Sequence, residues 1–211
     1  KSEYEYTRDK SFRLHVIMIM GNSRDTTFGL HLIDELSSEI EDFRVKAIVS
    51  LGQIQYAPSA DLVKSFLKNG NSFLEKQAAA GALGNLGNKS AINDLVNLIN
   101  SWPLNWDESD GPELRWEAAI ALLKLGYSDK STIDIITNLL TKSYYDQYQA
   151  LDQNKLNVLL LKILHILYSI DNIELLQPFK NSIYILSEDS SNLELQNISK
   201  KLYSRFNSNL E

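Results

Sequence analysis

Acidic and carboxamide side chains recur at positions that would share one face of successive helices. If the buried side of one helix is formed by Ile92, Leu95, Val96 and Ile99, then Asn93, Asp94 and Asn97 face outward. Equivalent positions along the chain give two polar rows, one with Asp61, Asn93, Asp134 and Glu174, the other with Ser65, Asn97 and Asn138. Such rows suit a polar or basic segment of a polypeptide partner. The alternative interpretation is a helix face that is only hydrated.

The segment from Trp102 to Glu113 combines Trp102 and Trp106 with several acids and contains no regular periodicity. Long segments of this kind are usually functional or disordered. In one interpretation the tryptophans anchor a partner inside an acidic rim, since aromatic side chains dominate interface energies. In the other they pack over a gap between helices, while the acids stabilise the positive N-terminal end of the next helix. The alternating acids of a calcium loop are missing.

A second aromatic group contains Tyr144, Tyr145 and Tyr148. These tyrosines could stack a planar ligand or line a groove for a partner. Tyrosines more often bury the ring against neighbours and keep the hydroxyl hydrated.

Catalytic and metal-binding patterns are not found. His15, His31 and His165 are far apart, and none has a histidine or glutamate at metal-ligand spacing. The glycines at 81, 84 and 87 follow no strand, so they predict close helix packing and a turn rather than a dinucleotide site. We therefore expect a protein that is not an enzyme and needs no metal or cofactor.

Composition narrows the classes of partner. The formal net charge is −6, which argues against nucleic acid, and there is no cysteine for a disulfide framework or thiol catalysis. The most apolar stretch, residues 156–167, is interrupted by Asn157, Lys162 and His165, which predicts a buried helix rather than a membrane span. A cytoplasmic location is expected, and an exported form with its signal removed is the alternative. The oligomeric state is left open.

The chain is organised around a helical hairpin at residues 77–99. Its first helix is rich in alanine, the strongest helix former, and ends at Gly87, where a left-handed residue is wanted. Ser90 is the predicted N-cap of the second helix. A hairpin of this size cannot bury its own apolar face, so stacked neighbours are required.

Copies of this hairpin follow a rule of a cation, a small residue, a leucine and another apolar residue at helical spacing. The cations that begin the copies are Arg13, Arg44, Lys76 and Arg115. Matching positions predict successive shifts of about 31, 32 and 39 residues. The longer last shift is explained by the Trp102–Glu113 insertion.

The sequences of residues 82–92 and 115–126 resemble HEAT-like repeats of the phycobilisome-lyase type. This resemblance implies an all-α, right-handed α-α superhelix, a HEAT-like solenoid of about five helical hairpins with a C-terminal capping helix. The predicted single domain covers residues 1–211, with units near 11–37, 42–69, 73–100, 113–141 and 154–186 and a terminal helix at 192–206.

Such repeats serve mainly as scaffolds. We therefore expect a non-catalytic adaptor that binds a protein or peptide through the concave second-helix face, the Trp102–Glu113 loop, or both. One alternative implied by the resemblance is a chromophore chaperone like the bilin lyases, with Trp102, Trp106, Tyr144 and Tyr145 against the pigment. Another is a HEAT-like DNA glycosylase, which Trp106, Asp110, Arg115 and Trp116 suggest and which the acidic composition disfavours.

Overall fold

The computed structural model describes residues 3–100, 113–141 and 153–207, and every regular element in these ranges is a helix. The predicted all-α fold is confirmed. The chain divides into two compact units, Lys1–Leu125 and Gly126–Glu211. The predicted single repeat domain and the hand of its superhelix stay predictions.

The first unit alternates long and short helices. The first helices of its hairpins are α1 (Glu3–Asn22), α3 (Glu41–Gln53), α5 (Phe73–Leu86) and α7 (Glu113–Lys124). The second helices are α2 (Gly29–Glu35), α4 (Ala60–Asn69) and α6 (Ile92–Asn100), and each follows a short 3-10 turn. This alternation is the hairpin pattern that the sequence predicts.

Packing in the first unit is between neighbours. Each first helix packs against the next one, and α2, α4 and α6 pack on α3, α5 and α7, respectively. The shared core includes Ile48, Leu51, Leu83, Leu95 and Leu122, all fully buried. Because each layer covers the apolar face of its neighbour, the layers stabilise one another as repeat units do.

Close approach of the first helices depends on glycine. A Cβ atom on Gly52 would lie 2.7 Å from Cα of Ala82, and one on Gly84 would lie 2.9 Å from Cα of Ala121. No side chain larger than hydrogen fits at either contact without movement of the backbone opposite. The predicted role of Gly84 in helix packing is confirmed.

The turn after each first helix contains one residue in the left-handed region. These residues are Arg24 (φ 57°), Gln55 (φ 54°), Gly87 (φ 67°) and Gly126 (φ 73°). Their spacings are 31, 32 and 39 residues (55 − 24, 87 − 55 and 126 − 87). The backbone thus repeats with the shifts predicted from the sequence, and the left-handed conformation of Gly87 is confirmed.

The second hairpin helices begin differently from the prediction. Ser90 lies inside a 3-10 turn, and the cap is Asn88, whose Oδ1 accepts a hydrogen bond from the backbone N–H of Ser90 at 3.1 Å. Asp25 and Asn172 cap the equivalent 3-10 segments through the N–H groups of Thr27 and Glu174. Ser90 as N-cap was wrong because the 3-10 turn moves the first free N–H groups upstream.

A buried ion pair joins α3 to α5. Nη2 of Arg44 lies 2.6 Å from Oε1 of Glu75, whose side chain is fully buried. The other carboxylate oxygen accepts the N–H of Asn71 at 2.6 Å, and Nη1 of Arg44 donates to the carbonyl of Ser38 at 2.7 Å. Both charges are therefore compensated, as burial of an ion pair requires.

The second unit contains α8 (Lys130–Leu140), α9 (Gln153–Ser169), α10 (Lys180–Asp189) and α11 (Leu193–Ser204). A 3-10 segment, Ile173–Phe179, contains Pro178 and precedes α10, as expected for a residue without an N–H donor. Helix α11 packs on both α9 and α10. Its neighbour Arg205 donates to the carbonyls of Tyr168 and Ile170 at 2.8 and 2.7 Å, which satisfies the C-terminal end of α9.

Candidate functional site

The second-helix face of the first unit is the surface that carries the predicted polar row. Asp61 on α4 and Asn93 and Asn97 on α6 are exposed, while Val63 and Leu95 are fully buried on the opposite side. The apolar positions at helical spacing turn these three polar groups outward. No hydrogen bond or ion pair to another described residue occupies their side chains.

Asp94 differs from the other members of the row because it is paired. Its two carboxylate oxygens lie 3.3 Å from Nζ of Lys64 and 3.2 Å from Nζ of Lys68. Lys64 also donates to the carbonyl of Ser90 at 2.8 Å. The carboxylate therefore links α4 to α6, and the surface beside Asn93 has mixed charge rather than the acidic character expected from the sequence.

The remaining predicted residues are placed separately or lie outside the description. Asp134 and Asn138 are exposed on α8 of the second unit. Trp102, Trp106, Tyr144 and Tyr145 lie outside the described residues, as does the Trp102–Glu113 loop up to residue 112. The role of all the predicted partner-binding residues stays a prediction.

A groove that the sequence interpretation missed lies at the C-terminal ends of α1, α3 and α5. Its volume is about 630 Å³, and its polar lining includes the carboxamides of Asn22, Gln53, Gln55 and Asn85. Asn22, Gln53 and Asn85 are 31 and 32 residues apart (53 − 22 and 85 − 53), the same shifts as the repeat. This register is the signal that could have found the groove from the sequence.

The floor of the groove is backbone. Gly21 and Gly52 line it next to Asn22 and Gln53. Because both glycines are buried against the following helix, the adjacent amides stand on closely spaced helix ends. Helices in contact lie about 8–10 Å apart, so successive carboxamides are separated by about that distance.

The side chains in the groove are available for hydrogen bonding. Asn22, Arg24, Gln53 and Gln55 are exposed, and no described residue bonds to their side chains. At the far end, Nζ of Lys124 donates to Oδ1 of Asn85, which leaves the Nδ2 group of Asn85 as the donor. The groove therefore presents several amide donors and acceptors with one cation, Arg24.

Titratable groups give no sign of acid–base or metal chemistry in the described part of the chain. Nδ1 of His15 lies 2.7 Å from the carbonyl of Ser11, while His31 and His165 are exposed on separate helices. No group of three or more potential metal ligands is formed by the described residues. The N–H and the hydroxyl of Thr27 lower the pKa of Asp25, which is a capping role.

Comparison with known proteins places one hairpin in a family. Residues 76–101 match the PBS lyase HEAT-like repeat, a range that covers most of α5 and all of α6. A search of curated proteins finds none that matches the chain. None of the described helices is long and apolar enough to cross a bilayer.

Proposed function

We propose that this chain, which contains a HEAT-like repeat of the PBS lyase type, is a non-catalytic scaffold that binds a polypeptide partner. The observation that carries the proposal is the free polar row on α4 and α6. Asp61, Asn93 and Asn97 stand on helices whose apolar sides are fixed in the core. Rigid elements of this kind present side chains at low entropic cost, which favours binding.

The first helices support the same interpretation because most of their surface is used in packing. In α5, the alanines at 78, 79 and 80 and Leu83 are buried, and in α7 every residue from Ala118 to Leu123 is buried. The second helices are therefore the ones with side chains left for a partner.

The charge pattern indicates which partner fits. Asp61 offers a free carboxylate, and Asn93 and Asn97 offer amides that pair with peptide groups or hydroxyls. Lys64 and Lys68 neutralise Asp94, so the face is not a strongly acidic surface. A polar peptide with a single basic residue positioned toward Asp61 is the complementary partner.

An array of short synthetic peptides of basic, acidic and neutral composition tests this function. We expect peptides with one or two basic residues to bind, and the joint replacement Asp61→Ala with Asn97→Ala to weaken binding about tenfold, as loss of two hydrogen-bonding groups implies. Glu39→Ala is the control, since it removes one exposed charge from another surface. Equal affinity of the double variant and this control would refute the role of the face.

A bilin titration followed by visible absorbance tests the chromophore-chaperone alternative in the same preparation. The scaffold proposal expects no spectral change on addition of the pigment. A saturable change would favour pigment handling over peptide binding.

A further inference from the structure

We propose that the carboxamide groove at the ends of α1, α3 and α5 binds a peptide segment in polyproline II conformation. This inference rests on the proposed scaffold role and assigns a second surface, separate from the second-helix face. The carboxamide groove is defined by Asn22, Arg24, Gln53, Gln55 and Asn85 above the glycine floor.

The chemistry of the carboxamide groove matches a peptide main chain. A carboxamide carries two donors and an acceptor, so it can pair with peptide carbonyl and N–H groups without regard to the side chains. Asn85 is already oriented, because Lys124 occupies its Oδ1 and leaves the NH₂ group to donate. A chain with exposed carbonyl groups is therefore the matching ligand.

The repeat spacing selects the conformation of that chain. Adjacent first helices lie about 8–10 Å apart. A polyproline II helix advances about 3.1 Å per residue with three residues per turn, so equivalent carbonyls recur about every 9.3 Å. In a β-strand equivalent groups recur about every 6.6 Å, which does not fit the spacing of the helix ends.

Backbone strain supplies a separate indication of binding at the same place. Arg24 and Gln55 adopt positive φ values of 57° and 54°, where the equivalent turns farther along use Gly87 and Gly126. Side chains in this conformation are costly, and such strain is retained where the side chain has a use. Both strained side chains line the carboxamide groove.

Arg24 sets the polarity of the ligand. It is the cation that lines the groove, and it stands at the α1 end, opposite the Asn85–Lys124 contact. We expect a peptide with a carboxylate near Arg24 to bind more tightly than the neutral peptide, and added salt to remove the difference.

The test uses NMR titration of the full chain with a blocked oligoproline peptide of about nine residues, three turns of polyproline II helix. A glycine–serine peptide of equal length is the flexible control. We expect the oligoproline peptide to shift the side-chain NH₂ signals of Asn22, Gln53 and Asn85, and the control peptide to bind about tenfold more weakly. Equal binding of the two peptides would overturn the selection of polyproline II.

Two variants make the assignment independent of folding. Gln55→Gly relieves the left-handed strain and removes one carboxamide, so we expect a folded protein that binds the oligoproline peptide about fivefold more weakly. Asn93→Ala removes a carboxamide from the second-helix face and should leave this affinity unchanged. Unaltered affinity of Gln55→Gly, or loss of affinity in Asn93→Ala, would overturn the proposal.

The two proposals fail separately. Oligoproline that shifts no signal of the carboxamide groove, while array peptides still bind through Asp61 and Asn97, would remove only the groove. Signals that move in the groove while array peptides fail to bind would support the groove and refute the second-helix face.

Discussion

At the level of single residues, the left-handed turn positions distinguish the early repeats from the later ones. Gly87 and Gly126 adopt positive φ without steric cost, whereas Arg24 and Gln55 adopt it with a Cβ atom present. The same turn is thus formed at a higher energetic cost in the hairpins that line the carboxamide groove.

The first prediction concerns this cost. Gln55→Gly should stabilise the fold by about 1 kcal/mol, because relief of the left-handed strain exceeds the entropy that glycine adds to the unfolded chain. Chemical denaturation measures the change, and Gly87→Ala is the matched control, expected to destabilise by about the same amount. A destabilised Gln55→Gly variant would show that the Gln55 side chain contributes more to folding than its exposed position indicates.

The second prediction concerns pH and Asp25. Hydrogen bonds from Thr27 lower the pKa of this carboxyl below its ordinary value of 3.8 in the folded state. A lowered folded-state pKa means that the carboxylate stabilises the fold above the unfolded pKa, and that this stabilisation disappears as the pH falls through the folded pKa. Asp25→Asn, which retains a capping side chain, should therefore be less stable than the parent at neutral pH and approach it in acid.

Denaturant midpoints between neutral pH and the acid limit of folding measure this difference, and NMR titration of the Asp25 carboxyl measures the pKa directly. A difference between the two proteins that does not change with pH would exclude the charge as its cause.

The third prediction compares two arginines that are equivalent in the repeat. Arg44 pairs with the fully buried Glu75, whereas the side chain of Arg13, which pairs with Glu35 at 2.8 Å, is half-exposed. Arg44→Met should cost about 3–5 kcal/mol, because a buried carboxylate is left without its cation. Arg13→Met should cost about 1 kcal/mol or less, as exposed pairs do. Urea denaturation of both variants gives the comparison, and equal losses would mean that Glu75 becomes hydrated.

At the level of helices, the first unit depends on small residues where first helices cross. Gly52 faces Ala82, Gly84 faces Ala121, and the equivalent position in α7 is occupied by Leu123. A leucine cannot make the close backbone contact that glycine makes. The glycine-to-alanine contact of the earlier layers therefore ends with α7.

The fourth prediction follows from these crossings. Gly84→Ala should destabilise the protein by about 1–3 kcal/mol, since the new methyl group would meet the backbone of α7 and overpack the contact. Gln53→Ala, next to Gly52 and exposed, is the control and should change stability by about 0.5 kcal/mol or less. Thermal denaturation separates the two, and a neutral Gly84→Ala would show that α5 and α7 can move apart at little cost.

At the level of the whole molecule, each compact unit has its own core. Leu51, Leu83 and Leu122 belong to the first unit, and Leu164 and Phe179 to the second. The predicted polar row is divided accordingly, with Asp61, Asn93 and Asn97 in the first unit and Asp134 and Asn138 in the second. A single continuous binding face along the chain stays a prediction.

The fifth prediction is the order of hydrogen exchange within the first unit. Amide protons of α5 should exchange about tenfold more slowly than those of α2, because α5 is packed between two first helices and α2 has one exposed side, with Leu30 at 66% exposure. Exchange followed by mass spectrometry measures both helices at once. Faster exchange in α5 would contradict the layered packing.

The sequence by itself determined the helical hairpins and their register. Alanine-rich first helices, the turn at Gly87 and the shifts of 31, 32 and 39 residues were all predictable, because they depend on local propensity and on the spacing of apolar residues. Exposure of Asn93 and Asn97 followed from the same periodicity.

Only the tertiary structure decided which side chains meet. Asp94 was predicted to face a partner, and its pairing with Lys64 and Lys68 depends on the placement of α4 beside α6. The carboxamide groove likewise needs three helix ends side by side, so Asn22, Gln53 and Asn85 carry no signal until the repeat register is superposed on the fold. Periodicity fixes which way a residue points along its own helix, whereas contacts between helices depend on packing distances that a single sequence does not contain.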